Sequence, residues 1–134
     1  MLKHPTIEKL TNMGLTGMIR ALEMQSQLQE VHTLSFEDRL ALLIDAEFSE
    51  RDTSQFTKRL KAAKLRDNAC IEDIDFKANR GIDKRLVAQL SDGQWIKDHR
   101  NVLITGKTGV GKTYLACALG QKACRLGHTV LYFR

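Results

Sequence analysis

The sequence predicts an α+β to α/β protein, in which an all-helical N-terminal domain leads into the first βαβ unit of a phosphate-loop core that is truncated. Three observations predict it. Apolar residues recur at helical spacing from Thr6 to about Arg66, a stretch free of proline after Pro5. Near the other end, Gly106-Lys107-Thr108-Gly109-Val110-Gly111-Lys112-Thr113 fills every fixed position of G-x-x-x-x-G-K-[ST] between two β-branched runs. The charge also divides there: all 16 acids lie at or before Asp98, whereas Arg100 to Arg134 carries Arg100, Lys107, Lys112, Lys122, Arg125 and Arg134 with no acid.

A length of 134 residues gives room for one ordinary domain, or for a small domain joined to part of another. The pattern divides the chain into a helical domain over 1–66, a linker and helix over 67–98, and a partial core over 99–134. Hydrophobic content of 43% with 28% charge excludes disordered and fibrous classes. No run approaches the roughly 18 apolar residues of a membrane span, and MLKHPTIEKL lacks an apolar signal core. A cytoplasmic protein without a membrane partner is therefore expected. Cys70, Cys117 and Cys124 are odd in number and lack C-x-x-C spacing, which disfavours a disulfide framework or a zinc site. His4, His32, His99 and His128 likewise have no metal-ligand spacing. A net charge of +5 favours polyanionic partners or, equally, a solvated basic surface.

Taken in order, Ile7, Leu10, Leu15, Met18, Ile19 and Leu22 predict a short helix, a bend at Gly14 and Gly17, and a longer helix over about 16–30. The period lapses at 32–34. Ser35 followed by Glu37 and Asp38 then reads as an N-cap, and a helix follows with Leu40, Leu43, Ile44, Ala46 and Phe48 turned inward. Residues 55–66 hold Lys58, Arg59, Lys61, Lys64 and Arg66 without an acid, kept helical by Phe56, Leu60 and Ala63. Two readings stand here: a solvated helix face, or a DNA-backbone contact through Lys58, Arg59, Lys61 and Lys64. Segment 67–81 alternates acids and apolar residues and reads as an extended linker. A helix over about 82–90 places Leu86, Val87 and Leu90 inward, and Asp92-Gly93 turns the chain. Trp95 reads as a core residue.

Val102-Leu103-Ile104-Thr105 reads as a buried parallel strand, Tyr114 to Leu126 as the helix after the loop, and Thr129 to Phe133 as a second strand. The chemistry explains the residue types between them. Glycines at 106, 109 and 111 let backbone N–H groups turn inward, and the helix N-terminus adds about half a positive charge. Lys112 then reaches the β- and γ-phosphates of a nucleotide, and the Thr113 hydroxyl ligates the Mg2+ that bridges them. Lys107, Thr108 and Val110 complete the nucleotide-binding loop at its variable positions. ATP with Mg2+ is thus the expected ligand pair.

Read together, LTGMIRALEMQ, LSFEDRLALLIDAE, RLKAAKLRDNACIEDIDFKANRGIDK, QWIKDHRNVLITGKTGVGKTYLACALG and LYFR resemble the IstB family, the ATP-binding helpers of transposition, which are similar to the DnaC helicase loaders. The resemblance covers essentially the whole chain. It implies a helical N-terminal domain before an AAA+ ATPase core that assembles on DNA and cooperates with a transposase, with a homo-oligomer when full length. It carries Gly106, Gly109, Gly111, Lys112 and Thr113 over as nucleotide-binding positions. Lys107 departs from the family, which often has proline there. The family's acidic Walker B strand, sensor residues and arginine finger would all lie beyond Arg134, so no catalytic residue is assigned and hydrolysis is left open. Two other functions remain in play: a replication helicase loader, and a truncated non-enzymatic fragment that binds DNA or a partner.

Overall fold

A computed structural model of the chain describes residues 4–77, 81–107 and 109–134. The chain divides into two units, Met1–Gln55 and Phe56–Arg134. All regular structure among the described residues is helical, and none of the described helices is long and apolar enough to cross a membrane.

In the first unit, α1 (Pro5–Asn12) starts where the sequence supplies both devices for starting. His4 Nδ1 accepts the Thr6 N–H at 3.1 Å, and Pro5 brings a helical φ to the first turn. Gly14 ends it at φ +74°, a left-handed turn closed by Gly14 N–H to the Thr11 carbonyl and Leu15 N–H to that of Leu10. The expected bend therefore rests on Gly14 alone, because Gly17 lies inside α2 (Thr16–Gln27).

Gly17 serves packing instead. A Cβ there would stand 2.8 Å from the Ala46 oxygen and 2.9 Å from the Glu47 Cα, so α2 lies directly on α3 (Phe36–Ala63). That approach lets α3 cap α2, which has no capping side chain of its own. Glu47 Oε1 accepts the N–H groups of Gly17 at 3.0 Å and Met18 at 3.2 Å, while Glu50 Oε1 accepts the Thr16 hydroxyl and the Arg20 guanidinium, each at 2.6 Å. Gln25 completes the seam, its amide donating to the Arg39 carbonyl at 3.0 Å.

The Arg51 guanidinium bound to Glu47, helped by the two N–H groups, holds this carboxyl below its ordinary pKa. A depressed folded-state pKa contributes stability that is present above the ordinary carboxylate value and lost as pH falls through the lowered one. Thermal unfolding followed from about pH 6 down to about pH 3 should show a falling midpoint whose acid limb is shallower in Glu47→Gln. Equal slopes in the two proteins would refute this assignment.

Between α2 and α3 a 3-10 turn, Gln29–Thr33, buries Val31. α3 then begins with Ser35 Oγ accepting the Asp38 N–H at 3.1 Å. The helix read from Ser35 and the basic helix of 55–66 are one continuous element of 28 residues, since neither glycine nor proline interrupts 36–63. Of the residues expected inward, Leu43 and Ala46 are half-buried, but Leu40, Ile44 and Phe48 are exposed. For Phe48 the reason is the Gly17 contact, which turns the Ala46–Glu47–Glu50 side of α3 toward α2. Phe48 sits roughly 100° round the helix from Glu47 and is left outside.

The second unit is built on α6 (Lys112–Arg125), whose Cys117, Ala118, Leu119, Ala123 and Cys124 are buried. Ala69, Cys117 and Ala118 form its centre, with Leu65, Ile71, Ile74, Tyr114 and Tyr132 packed around. Segment 67–77, expected to be an extended linker, contains a 3-10 turn at Ile71–Asp73 and contributes Ala69 to this core. Two short helices follow, α4 (Lys84–Leu90) and α5 (Gln94–Lys97). Asp83 Oδ1 caps α4 through the Arg85 N–H at 2.9 Å, and Val87 is buried while Leu86, expected inward, is exposed. Trp95 is half-buried and donates Nε1–H to the Leu90 carbonyl at 2.9 Å.

The βαβ unit expected over 99–134 is not present. No strand occurs among the described residues, and the fold is all-helical rather than α+β or α/β. Both β-branched runs keep the alternation of strands: Val102 and Ile104 are half-buried about an 89%-exposed Leu103, and Val130 and Tyr132 alternate with exposed Leu131 and Phe133. What they lack is a ladder, since a strand exists only through a partner's N–H and C=O groups. The Tyr132 N–H is donated instead to the Ala63 carbonyl at the end of α3, at 2.9 Å. Val102, Ile104 and Val130 border one cavity of about 350 Å3 beside α6.

Candidate nucleotide-binding site

The loop that precedes α6 is shaped by its glycines. Gly109 at φ +85° and Gly111 at φ +92° hold left-handed conformations that a residue with a Cβ adopts only at a cost. At Gly106 the constraint is space, because a Cβ would lie 3.1 Å from the Val110 Cγ2 and 3.7 Å from the Lys112 Cδ. Gly111 is the N-cap of α6 and provides no side-chain acceptor, so the first-turn N–H groups of a 14-residue helix are free of any side-chain cap. Lys112 opens that first turn and folds back across the loop, its Nζ donating to the Gly106 carbonyl at 2.6 Å. The arrangement concentrates one ammonium, uncapped N–H groups and the positive end of a helix dipole at one place, which suits an anion.

Two cavities meet at Gly111. One, of about 300 Å3, is bordered by Thr105, Val110 and Lys112 and by Ile82, Asp83 and Leu86. The other, of about 260 Å3, is bordered by Asp73, Asp75, Ile82, Tyr114 and Leu115. The sequence marked only the glycine loop. The sequence of 81–86 reads as the end of a linker and a core-facing helix, and its spacing carries no sign that it borders the loop. In the structure Leu86 is 52% exposed at the cavity rim rather than in the core. Asp83 brings a carboxylate to the cavity of Lys112, with one oxygen already engaged in capping α4.

The remaining expected positions are placed as follows. Lys107 is exposed, Thr113 is half-buried in the first turn of α6, and Thr108 lies outside the described residues. Val110 is half-buried and borders the cavity, with its side chain beside Gly106. Among the described residues no group of three or more His, Cys, Asp or Glu could hold a metal ion. Lys58, Lys61 and Lys64 are exposed, with Lys64 left-handed at φ +54° just past the end of α3. Arg59 differs from these three: its Nε donates to the Cys124 carbonyl at 2.9 Å, tying α3 to the last turn of α6. Arg125 adds to that tie from the other side, 4.7 Å from the Phe56 ring centroid. Cys117 and Cys124 are fully buried, and burial pushes the Cys124 thiol up, away from reactivity.

Residues 8–134 match the family described as IstB-like ATP binding protein. Among curated proteins, the chain is 47% identical over its whole length to a Pseudomonas fluorescens protein named for ATP binding in insertion sequence IS1162, covering 58% of that protein. It is also 47% identical over its whole length to an insertion-sequence protein of Sinorhizobium fredii, y4pL, likewise named for ATP binding, covering 55% of it. A third relative, named for ATP binding in insertion sequence IS21 of Pseudomonas aeruginosa, is 36% identical over 74% of the chain and 37% of its own length. The chain thus spans little more than half the length of the first two.

Proposed function

The chain belongs to the family of IstB-like ATP-binding proteins, and from that premise we propose that it is an ATP-binding helper of DNA transposition, acting in the cytoplasm with a transposase on DNA. Nucleotide binding rests chiefly on Lys112, whose ammonium stands 2.6 Å from the Gly106 oxygen across a glycine turn and before an uncapped helix. Gly106, Gly109 and Gly111 admit the triphosphate close to the backbone, and Lys107, Thr108 and Val110 complete the loop around it. Lys112 exchanges its internal carbonyl for phosphate oxygens, and Thr113 offers its hydroxyl to Mg2+. When bound, Mg2+ neutralises part of the triphosphate charge. The cavities beside Gly111 give the rest of the nucleotide somewhere to lie, against Ile82 and Tyr114.

Binding of MgATP to the folded chain should raise its unfolding temperature. With ATP at a hundred times its dissociation constant the stabilisation is about 2.7 kcal/mol. No rise with either ATP or ADP would refute the reading.

DNA contact is proposed through the basic end of α3 and the residue just past it, with Lys58, Lys61 and Lys64 as phosphate contacts and Arg59 holding that region in place through Cys124. Lys58 and Lys61 are three residues apart on α3 and share a face, and Lys64 follows just past its end. Neutralising all three to glutamine should weaken DNA binding without regard to sequence. The slope of log affinity against log salt should flatten by about one per lysine. An unchanged slope would remove these residues from the interface. Partnership with a transposase and with further copies of the chain rests on family membership.

A further inference from the structure

A further cavity in the unit Phe56–Arg134 opens beside two of the lysines proposed as DNA contacts. It measures about 360 Å3, a size that takes a small ligand. Lys61, Lys64 and Arg66 border it, and none of these three cations forms an ion pair among the described residues. Asp67 is the one acid at its border, while Leu60 and Leu65 give it apolar wall. From α6 comes Gln121, 7% exposed, whose Oε1 is buried without a hydrogen-bond donor among the described residues. A buried acceptor left unmatched is destabilising, whereas an apolar side chain of similar size has nothing to leave unmatched. Packing alone therefore gives no reason for an amide at this position.

Cations and amide together narrow what the cavity takes. Three cations call for an anion, but a phosphodiester or a carboxylate offers Oε1 only further acceptors. A nucleobase edge carries N–H donors beside acceptors, so it meets an amide at both of its polar atoms. The last torsion of glutamine is soft, and the amide turns to present its oxygen or its NH2 to what enters. We propose that the cavity receives one unpaired base of a DNA strand, with Gln121 hydrogen-bonding the base edge and Lys61, Lys64 and Arg66 meeting the phosphates on either side. Leu60 and Leu65 then replace the apolar surroundings that a base loses on leaving its stack. A base inside a duplex is paired and stacked, so the strand is single or the base extruded. This inference rests on the DNA contact proposed above. It adds an uncharged residue, Gln121, that distinguishes a base from bare backbone.

The test compares two single strands of about twelve nucleotides by fluorescence anisotropy, one of deoxyadenylate and one with the same phosphates but no bases. The chain should bind the strand with bases about tenfold more tightly, the discrimination expected of one amide paired with one base edge. Gln121→Leu should reduce that ratio to about twofold by weakening only the strand with bases. Should leucine prevent folding, Gln121→Met, equal in length to glutamine, takes its place. Lys61→Gln/Lys64→Gln should weaken both strands alike and flatten their salt dependence. Equal binding of the two strands with the salt dependence present overturns the base site and leaves the DNA contact standing, whereas binding of neither overturns both. A ratio unmoved by Gln121→Leu also overturns the base site. Free dAMP, tested in Lys112→Ala so that the glycine loop does not take it up, should compete only weakly, having one phosphate where the strand has many. Displacement of the strand by dAMP at equal concentration would make the occupant a free nucleotide and overturn the proposal.

Discussion

Replacing Lys112 by alanine should weaken MgATP binding by about a hundredfold, the loss expected when two charge-assisted contacts to phosphate disappear. Among the described residues that border the two cavities no other cation occurs, and Lys107 is exposed. The unliganded chain should be little affected, because Lys112 makes one hydrogen bond, to the Gly106 carbonyl, and that carbonyl stays reachable by water. Titration of the two proteins with a fluorescent ATP analogue therefore separates site from scaffold. Lys107→Ala is the matched control and should stay within about twofold of the original chain, its charge being outside the turn and screened. Retained affinity in Lys112→Ala, or an equal loss in Lys107→Ala, would mean that the loop is a structural turn and that the nucleotide reading is mistaken.

The turn before α6 was legible because its conformation is set locally. Three glycines, a lysine and a threonine at fixed offsets before a helical run need no distant partner to define them, and Gly109, Gly111 and Lys112 take up the left-handed turn and helix start that the pattern demands. Ser35 and Gly14 were legible for the same reason, each acting within a few residues, whereas the start of α1 at His4 and Pro5 was not read. What could not be read is whatever depends on a partner far along the chain. Val102 to Thr105 and Thr129 to Phe133 have the composition and alternation of strands, yet composition does not supply a ladder, and the Tyr132 N–H goes to a helix end at Ala63. The cap of α2 comes from Glu47 and Glu50, some thirty residues away, and no cap residue precedes the helix to announce it. The same remoteness explains Phe48: apolar spacing predicts it inward, and only the position of Gly17 decides that the Ala46–Glu47–Glu50 side of α3 meets α2.

That contact predicts the largest stability effect in the first unit. Gly17→Val should destabilise the fold by about 3 kcal/mol, at the upper end of what overpacking costs. The atoms its Cβ would meet are the Ala46 oxygen at 2.8 Å and the Glu47 Cα at 2.9 Å, both backbone, so no rotamer change relieves them. Relief requires α2 to move off α3, and the movement breaks the hydrogen bonds of Glu47 to Gly17 and Met18 and of Glu50 to Thr16. Helix propensity opposes this loss, since alanine is favoured over glycine within a helix by about 1 kcal/mol. Gly17→Ala should therefore be destabilised less than Gly17→Val, with the order fixed by bulk. Gly14→Ala supplies the contrast. Its Cβ would meet nothing within 4 Å, but φ at +74° is unfavourable for alanine by about 1–2 kcal/mol, so strain acts there without a clash. Urea unfolding of the three variants distinguishes the causes. If packing governs Gly17, alanine there is already destabilised by its Cβ against the Ala46 and Glu47 backbone and valine more so, whereas at 14 the penalty is that of the left-handed φ alone. A Gly17→Val protein as stable as the original would mean that α2 does not rest on Ala46 and Glu47, and the shared cap would go with it.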